Sequence, residues 1–323
     1  MSRDPCPCLQ SKAQAASCPG CPSTPCAEAS GILNVNKPEG WTSHDVVARV
    51  RRLTRQRRVG HAGTLDPFAT GVLLVCLGQA TRVSEYLMAA RKLYRARVRF
   101  GAATDTYDAT GRVTLQTEHI PESREAIEEI LPRFTGRILQ TPPAYSALKL
   151  EGEPAYRRAR RGEAVEQAPR PVEIYALRLC SWAPPDLEIE VLCGKGTYIR
   201  SLAHDLGRAA GSAAHLVALE RRAVGAFTLD DAVSLPELES RVEEGRWRDL
   251  LYPLDEALLH YPALVVSADD VSRLLNGQPI AAATVVAGVL HRAYGPDGAF
   301  IALVEGDTSA GIWRPHKVFI PCA

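Results

Sequence analysis

The sequence predicts an α+β fold with a smaller β-rich unit at its C-terminal end. Segments of strand and helix periodicity are interspersed without strict alternation, which disfavours a doubly wound parallel sheet. After about Pro253 short apolar runs recur between glycines, the texture of a small β-rich domain over residues 253–323. The 323 residues are 46% hydrophobic and 23% charged, enough to build a core without disulfides or metal.

The first 30 residues hold Cys6, Cys8, Cys18, Cys21 and Cys26 among Pro, Ser and Ala. They show no apolar periodicity and read as a disordered extension. A Cys-x-Cys and a Cys-x-x-Cys leave metal binding open, but no second pair at structural-zinc spacing and no nearby histidine completes a set. No apolar stretch typical of a signal peptide occurs there, and no run of 18 apolar residues occurs anywhere. A cytoplasmic protein without a membrane span is the expectation.

Ordered structure is expected from Gly31. Ile32 to Val35 is a short apolar strand, and Lys37 to Gly40 a turn. Thr42 caps a helix: Asp45 stands three residues on, as in a capping box, and Val46, Val47, Val50 and Leu53 form one apolar face. Gly60 to Pro67 is a glycine-punctuated loop, and Val72 to Leu77 an unbroken apolar run suited to a strand buried on both faces. Val83, Tyr86, Leu87 and Ala90 mark a helix. Tyr94, Ala96, Val98 and Phe100 alternate with Arg95, Arg97 and Arg99, giving a strand with one buried and one basic face. A helix from Ser123 is expected to carry Ala126, Ile127, Ile130, Leu131 and Phe134 on its apolar side. Residues 141–165 read as a basic excursion, Leu187 to Val191 as a strand, and Tyr198 to Ala210 as a helix. Strands are expected at Ala263–Val266, Val285–Leu290, Phe300–Val304 and Val318–Ile320.

Net charge is only +1, but the charge is segregated. Arginines cluster at 49–58, 91–99 and 157–161. Together they form a basic face for phosphates, or else three separate solvated surfaces.

Asp66 is the residue with the clearest chemical promise. Pro67 pushes it towards an extended conformation. The flanking glycines permit unusual turns, and His61 lies on the same loop. A carboxylate so placed is a candidate nucleophile or general base, although Asp-Pro is also a common turn opener.

The whole segment from Gly60 to Leu73, GHAGTLDPFATGVL, closely resembles the catalytic motif of the TruB family, bacterial tRNA pseudouridine synthases acting on the T-loop uridine at tRNA position 55. Four further segments agree in the family's order: Asn36-Lys37-Pro38 through Asp45, Lys92-Leu93-Tyr94 with Gly101 through Asp105, Pro142 through Lys149, and Gly194 through Arg200. The resemblance covers residues 31–230 strongly and the rest more weakly. It implies the pseudouridine-synthase fold, a mixed and largely antiparallel sheet flanked by helices in a catalytic domain over 31–252, followed by a PUA-type RNA-binding domain. It implies that Asp66 initiates the reaction, Arg200 pairs with it and keeps it ionised, and Tyr94 stacks on the flipped uracil. His61, Tyr198, Lys37 and Leu219 fall among the substrate-binding positions, with Lys37 supporting the site's architecture or a phosphate. Arg58, Lys149, Arg157 and Arg158 are expected to contact RNA. The resemblance further implies tRNA, through its T-arm, as partner, no cofactor or metal, no obligatory protein partner, and a monomer. A guide-RNA-dependent synthase and a non-catalytic RNA-binding protein are the rival readings. Asn36, Ala62, Gly194, Tyr107 and Glu220 depart from the family pattern, where Asp, Thr, Ser, Asp and Arg are expected.

Overall fold

The structure is a computed structural model that describes residues 29–144, 161, 167–281, 285–286 and 288–320, with backbone alone at 149–150 and 153–154. The cysteine-rich segment 1–28, the side chain of Lys149, and Arg157 and Arg158 lie outside the described residues.

Strand β1 (Gly31–Lys37) leads into helix α1 (Ser43–Thr54). Thr42 caps that helix with the expected box: its hydroxyl accepts from the Asp45 N–H, and the Asp45 carboxylate accepts from the Thr42 N–H. Strand β2 (Val59–His61) and strand β3 (Thr70–Leu77) follow, joined by the glycine loop. A 3-10 turn at Gly78–Val83 precedes α2 (Ser84–Ala89), so the expected helix is confined to its second half. Strand β4 (Lys92–Phe100) alternates buried and exposed residues as its sequence requires. A hairpin of β5 (Ala102–Thr104) and β6 (Val113–Gln116) comes next.

The helix expected from Ser123 is short: α3 spans only Arg124–Glu128, and a 3-10 turn takes over at Leu131–Phe134. Pro132 is the cause, because it has no N–H and its ring clashes with the carbonyl four residues back. Then come β7 (Gly136–Gln140), the two-residue β8 (Lys149–Leu150) and β9 (Glu153–Pro154), β10 (Arg170–Ala183) and β11 (Asp186–Cys193). Helix α4 (Ile199–Ala209), β12 (Ala214–Val224), β13 (Phe227–Thr228), α5 (Leu235–Glu243) and β14 (Leu251–Tyr252) complete this part.

The large sheet runs β14-β1-β3-β12-β4-β11-β10-β7, with β2 and β13 attached to β3 and β12. Its pairings are antiparallel except β3 with β12. The mixed, largely antiparallel α+β architecture is therefore as expected. Strand β3 is apolar on both sides because both sides are covered. Leu73, Val75 and Leu77 pack with Val46, Val47 and Val50 of α1, while Val72, Leu74 and Cys76 meet Leu303 and Phe319 from the C-terminal unit. At the far end α4 lays Ile199, Leu202, Ala203 and Leu206 against Tyr94, Ala96 and Val98.

The arginines of β4 project from the face opposite Tyr94. Arg95 and Arg99 are each held by two hydrogen bonds, to Glu188 and Asp186 of β11. Two cations of this cluster are thus matched across the sheet.

The C-terminal unit is a five-stranded sheet of β15 (Ala263–Val265), β16 (Ile280–Ala281), β17 (Leu290–Tyr294), β18 (Phe300–Asp307) and β19 (Ile312–Val318), in the order β15-β17-β18-β19-β16, with helix α6 (Ala268–Leu275). Two expected strands are displaced. The one sought at Val285–Leu290 begins at Leu290, after a turn at Gly288 with φ of +75°. The one sought at Val318–Ile320 ends at Val318, and its Pro315 sits where the register with β18 shifts. The unit docks on the 3-10 turn, where Gln79 exchanges two hydrogen bonds with the Ile320 backbone. Among the described residues no helix is long and apolar enough to cross a membrane.

Candidate functional site

Asp66 sits on the loop between β2 and β3, and the loop is fixed from several directions. The Ser43 hydroxyl donates to the Leu65 carbonyl and accepts from the Leu65 N–H, at 3.2 and 2.9 Å. Lys37 is fully buried, and its ammonium donates to the carbonyls of Pro38, Trp41 and Pro67 at 2.8, 2.7 and 3.1 Å. Burial lowers its pKa to about 8, against the opposing pull of Asp66. Of the two roles expected for Lys37, this geometry fits support of the loop rather than a grip on phosphate. Lys37→Met is expected to cost about 3 kcal/mol of stability, since three buried carbonyls lose a charged donor. Chemical denaturation checks this, and an unchanged midpoint would remove Lys37 from the loop's support.

Arg200 reaches Asp66 from the first turn of α4. Its Nε lies 3.0 Å from Oδ2 and its Nη2 3.2 Å from Oδ1, a bidentate pair. Its remaining Nη1 lies 3.4 Å from Asp108 Oδ2 and from the Thr106 carbonyl. The Arg200 side chain is 7% exposed, whereas that of Asp66 is 32% exposed and so opens to solvent beside a buried cation. Burial pushes the Asp66 carboxyl above its ordinary value. Arg200 opposes that push and Asp108 adds to it. The expected ionising effect of Arg200 is thus present but outweighed by desolvation.

Asp108 was not among the expected site residues. It is buried, and its Oδ1 accepts from the hydroxyls of Thr106 and Thr110 and from the Thr110 N–H. The acid sought at Tyr107 is therefore present one residue later. Tyr107 itself adopts φ of +62° and stacks on His204 with ring centres 4.1 Å apart. Thr-x-Asp-x-Thr is a legible turn signal, because a short acid flanked by hydroxyls closes its own loop.

Tyr198 occupies the cap position of α4. The buried Gln140 side chain accepts from its N–H at 2.8 Å and donates to its carbonyl at 3.0 Å, which sets where Arg200 begins. Tyr94 and Leu219 lie in one apolar cluster with Leu65 and Ala69, which flank Asp66 in the loop. Burial raises the Tyr94 pKa, and Arg221 opposes the rise. His61 ends β2 and meets His44 edge-on at 5.3 Å; burial, then His44, lowers its pKa, which favours the neutral ring. Arg58 is exposed just before β2. The structure thus gathers Asp66, Arg200, Tyr94, Leu219 and Lys37 around one loop.

Family models match most of the described course of the chain: the TruB family pseudouridylate synthase N-terminal domain over residues 51–199, the tRNA pseudouridylate synthase B C-terminal domain over 200–259, and the tRNA pseudouridine synthase II C-terminal domain over 261–320. A tRNA pseudouridine synthase B of Dehalococcoides mccartyi is 43% identical over 290 residues, 90% of this chain and 96% of its own length. This chain belongs to the TruB family. Another TruB relative, from Geobacter sulfurreducens, is 41% identical over 88% of this chain and 95% of its own. Among solved structures, a Cbf5–Nop10–Gar1 complex contains a chain that is 28% identical with a TM-score of 0.69, over 90% of this chain and 85% of that one. An H/ACA ribonucleoprotein bound to a substrate RNA gives the same TM-score at 25% identity. The pseudouridine-synthase fold is common to them and to this TruB chain.

Proposed function

We propose that this chain is a tRNA pseudouridine synthase that isomerises the T-loop uridine, with Asp66 as the group that starts the reaction. The observation that carries this reading is the bidentate Arg200–Asp66 pair beside an apolar cluster containing Tyr94 and Leu219. Isomerisation breaks the C1′–N1 bond, turns the uracil, and rejoins it through C5. The chemistry asks for an oriented carboxylate, a surface on which the loose base stays flat, and exclusion of water. Asp66 supplies the first, by attack on C1′ or by removal of the 2′ proton. Tyr94 supplies the second by stacking, and Leu219 and Tyr198 line the pocket. His61 fills the space the flipped base leaves, which offsets part of the few kcal/mol that unstacking costs.

Arg58, with Lys149, Arg157 and Arg158 of the 141–165 segment, contacts the RNA backbone. Residues 31–252 act as the catalytic domain and 253–323 as a PUA-type unit that grips the tRNA. The enzyme works in the cytoplasm as a monomer, without a protein partner. The identity and near-complete coverage of the TruB relatives support a stand-alone enzyme over the guide-dependent synthases. The test is pseudouridine formation on an unmodified tRNA transcript by the purified chain. Product at the T-loop uridine is expected. Folded protein that binds the transcript yet forms none would overturn the stand-alone reading.

A further inference from the structure

Arg221 is the largest side chain buried essentially completely, at 1% exposure, and among the described residues no carboxylate forms an ion pair with it. A buried guanidinium without a counter-charge is costly, so its donors should find acceptors. Three of them do. Nε donates to the Val72 carbonyl at 2.7 Å, Nη2 to Gly63 at 3.1 Å and Nη1 to Thr64 at 3.5 Å. The fork therefore grips the chain before Asp66 at two points and after it at one. Strand register brings the same residue opposite Tyr94 on β4 and opposite Gly71 on β3. At Gly71 the backbones are so close that a Cβ would lie 2.3 Å from the Arg221 carbonyl oxygen, with φ at +98°. The Arg221 cation opposes the burial that raises the Tyr94 pKa.

We propose that Arg221 is a positioning residue for the isomerisation, one guanidinium that fixes both limbs of the Asp66 loop on the strand that faces Tyr94. This rests on the reading that Asp66 and Tyr94 act on the flipped uridine. It explains why a cation is retained where packing alone would favour an apolar residue. Cys193 and Asp66 also bear on Tyr94, and both act against Arg221 there.

The test compares full-length wild type with Arg221→Lys, Arg221→Met and Tyr94→Phe. Thermal unfolding, tRNA affinity and the single-turnover rate on a tRNA transcript are measured. The ultraviolet titration of Tyr94 is isolated by subtracting the Tyr94→Phe spectrum. Arg221→Met is expected to lower the single-turnover rate about 100-fold, the scale of a small misplacement, with tRNA affinity little changed. It should also move the Tyr94 titration upward. Arg221→Lys, which keeps the charge but cannot span three carbonyls, should restore the titration more than the rate. An unchanged rate in a folded variant overturns the proposal, and so does a lowered rate with the Tyr94 titration unmoved, which is what a purely structural arginine would give. If Arg221→Met does not fold, the rate and titration of Arg221→Lys decide. The titration needs no turnover, so it tests Arg221 even if the wild type forms no pseudouridine, an outcome that counts against the functional reading instead.

Discussion

Asp66→Asn is expected to reduce pseudouridine formation by about 10⁴-fold or more while leaving a folded protein that still binds tRNA. The amide has the shape of the carboxylate but neither its nucleophilicity nor its basicity. The loop does not depend on the side chain it presents. Ser43 holds the Leu65 backbone, Lys37 and the Gly40 N–H hold the Pro67 carbonyl, and Arg221 holds Gly63 and Thr64. Removing the charge also relieves part of the burial cost that raises the Asp66 pKa, so stability should change by only about 1 kcal/mol. Discontinuous pseudouridine assay and tRNA filter binding on the same preparations separate the effects. Residual activity within about tenfold of wild type would remove Asp66 from the chemistry.

How far the sequence announces this site depends on how regular its elements are. The α1 capping box, the doubly buried β3 and the two-faced β4 are legible because each is an undisturbed periodic pattern ended by a recognised cap or glycine. Strands β10 and β12 are not, although β12 is central to the sheet. Each is broken by two register shifts, and every shift resets the side-chain alternation. In β12 the pattern is further disguised by a buried arginine. Leu219 and Arg221 share the inner face while Glu220 and Arg222 pair with each other outside it. Composition reads that stretch as surface charge. Family resemblance supplies Asp66, Tyr94 and Arg200, but their supports, Ser43, Asp108, Gln140 and Arg221, come from distant segments. Such polar clamps obey no local spacing, so their partners emerge only when the chain is folded.

Arg200 and Asp108 should move the pH dependence in opposite directions. The active form of Asp66 is the carboxylate, so kcat/KM is lost as pH falls through its folded pKa. Burial and Asp108 raise that pKa above the ordinary value, and Arg200 lowers it. Arg200→Met removes the opposing cation and leaves Asp66 beside the buried Asp108 carboxylate. The acid limb should then shift up by about one unit or more. Above the acid limb kcat/KM should still fall by about 100-fold or more, as the carboxylate loses its orientation. Asp108→Asn removes the repulsive neighbour but keeps the guanidinium on Asp66, so its acid limb should shift down. The amide oxygen introduced by Asp108→Asn can still accept from Thr106 and Thr110, which keeps the turn closed. Stability follows the same sign. A carboxyl whose folded pKa is raised favours the folded state below its unfolded pKa, and that contribution is lost as pH rises through the folded pKa. Arg200→Met should therefore lose stability as pH rises through the raised pKa of Asp66. The kcat/KM profile of the free enzyme against pH reads all three proteins on one axis. If both substitutions shift the acid limb the same way, the group that titrates in the reaction is not Asp66.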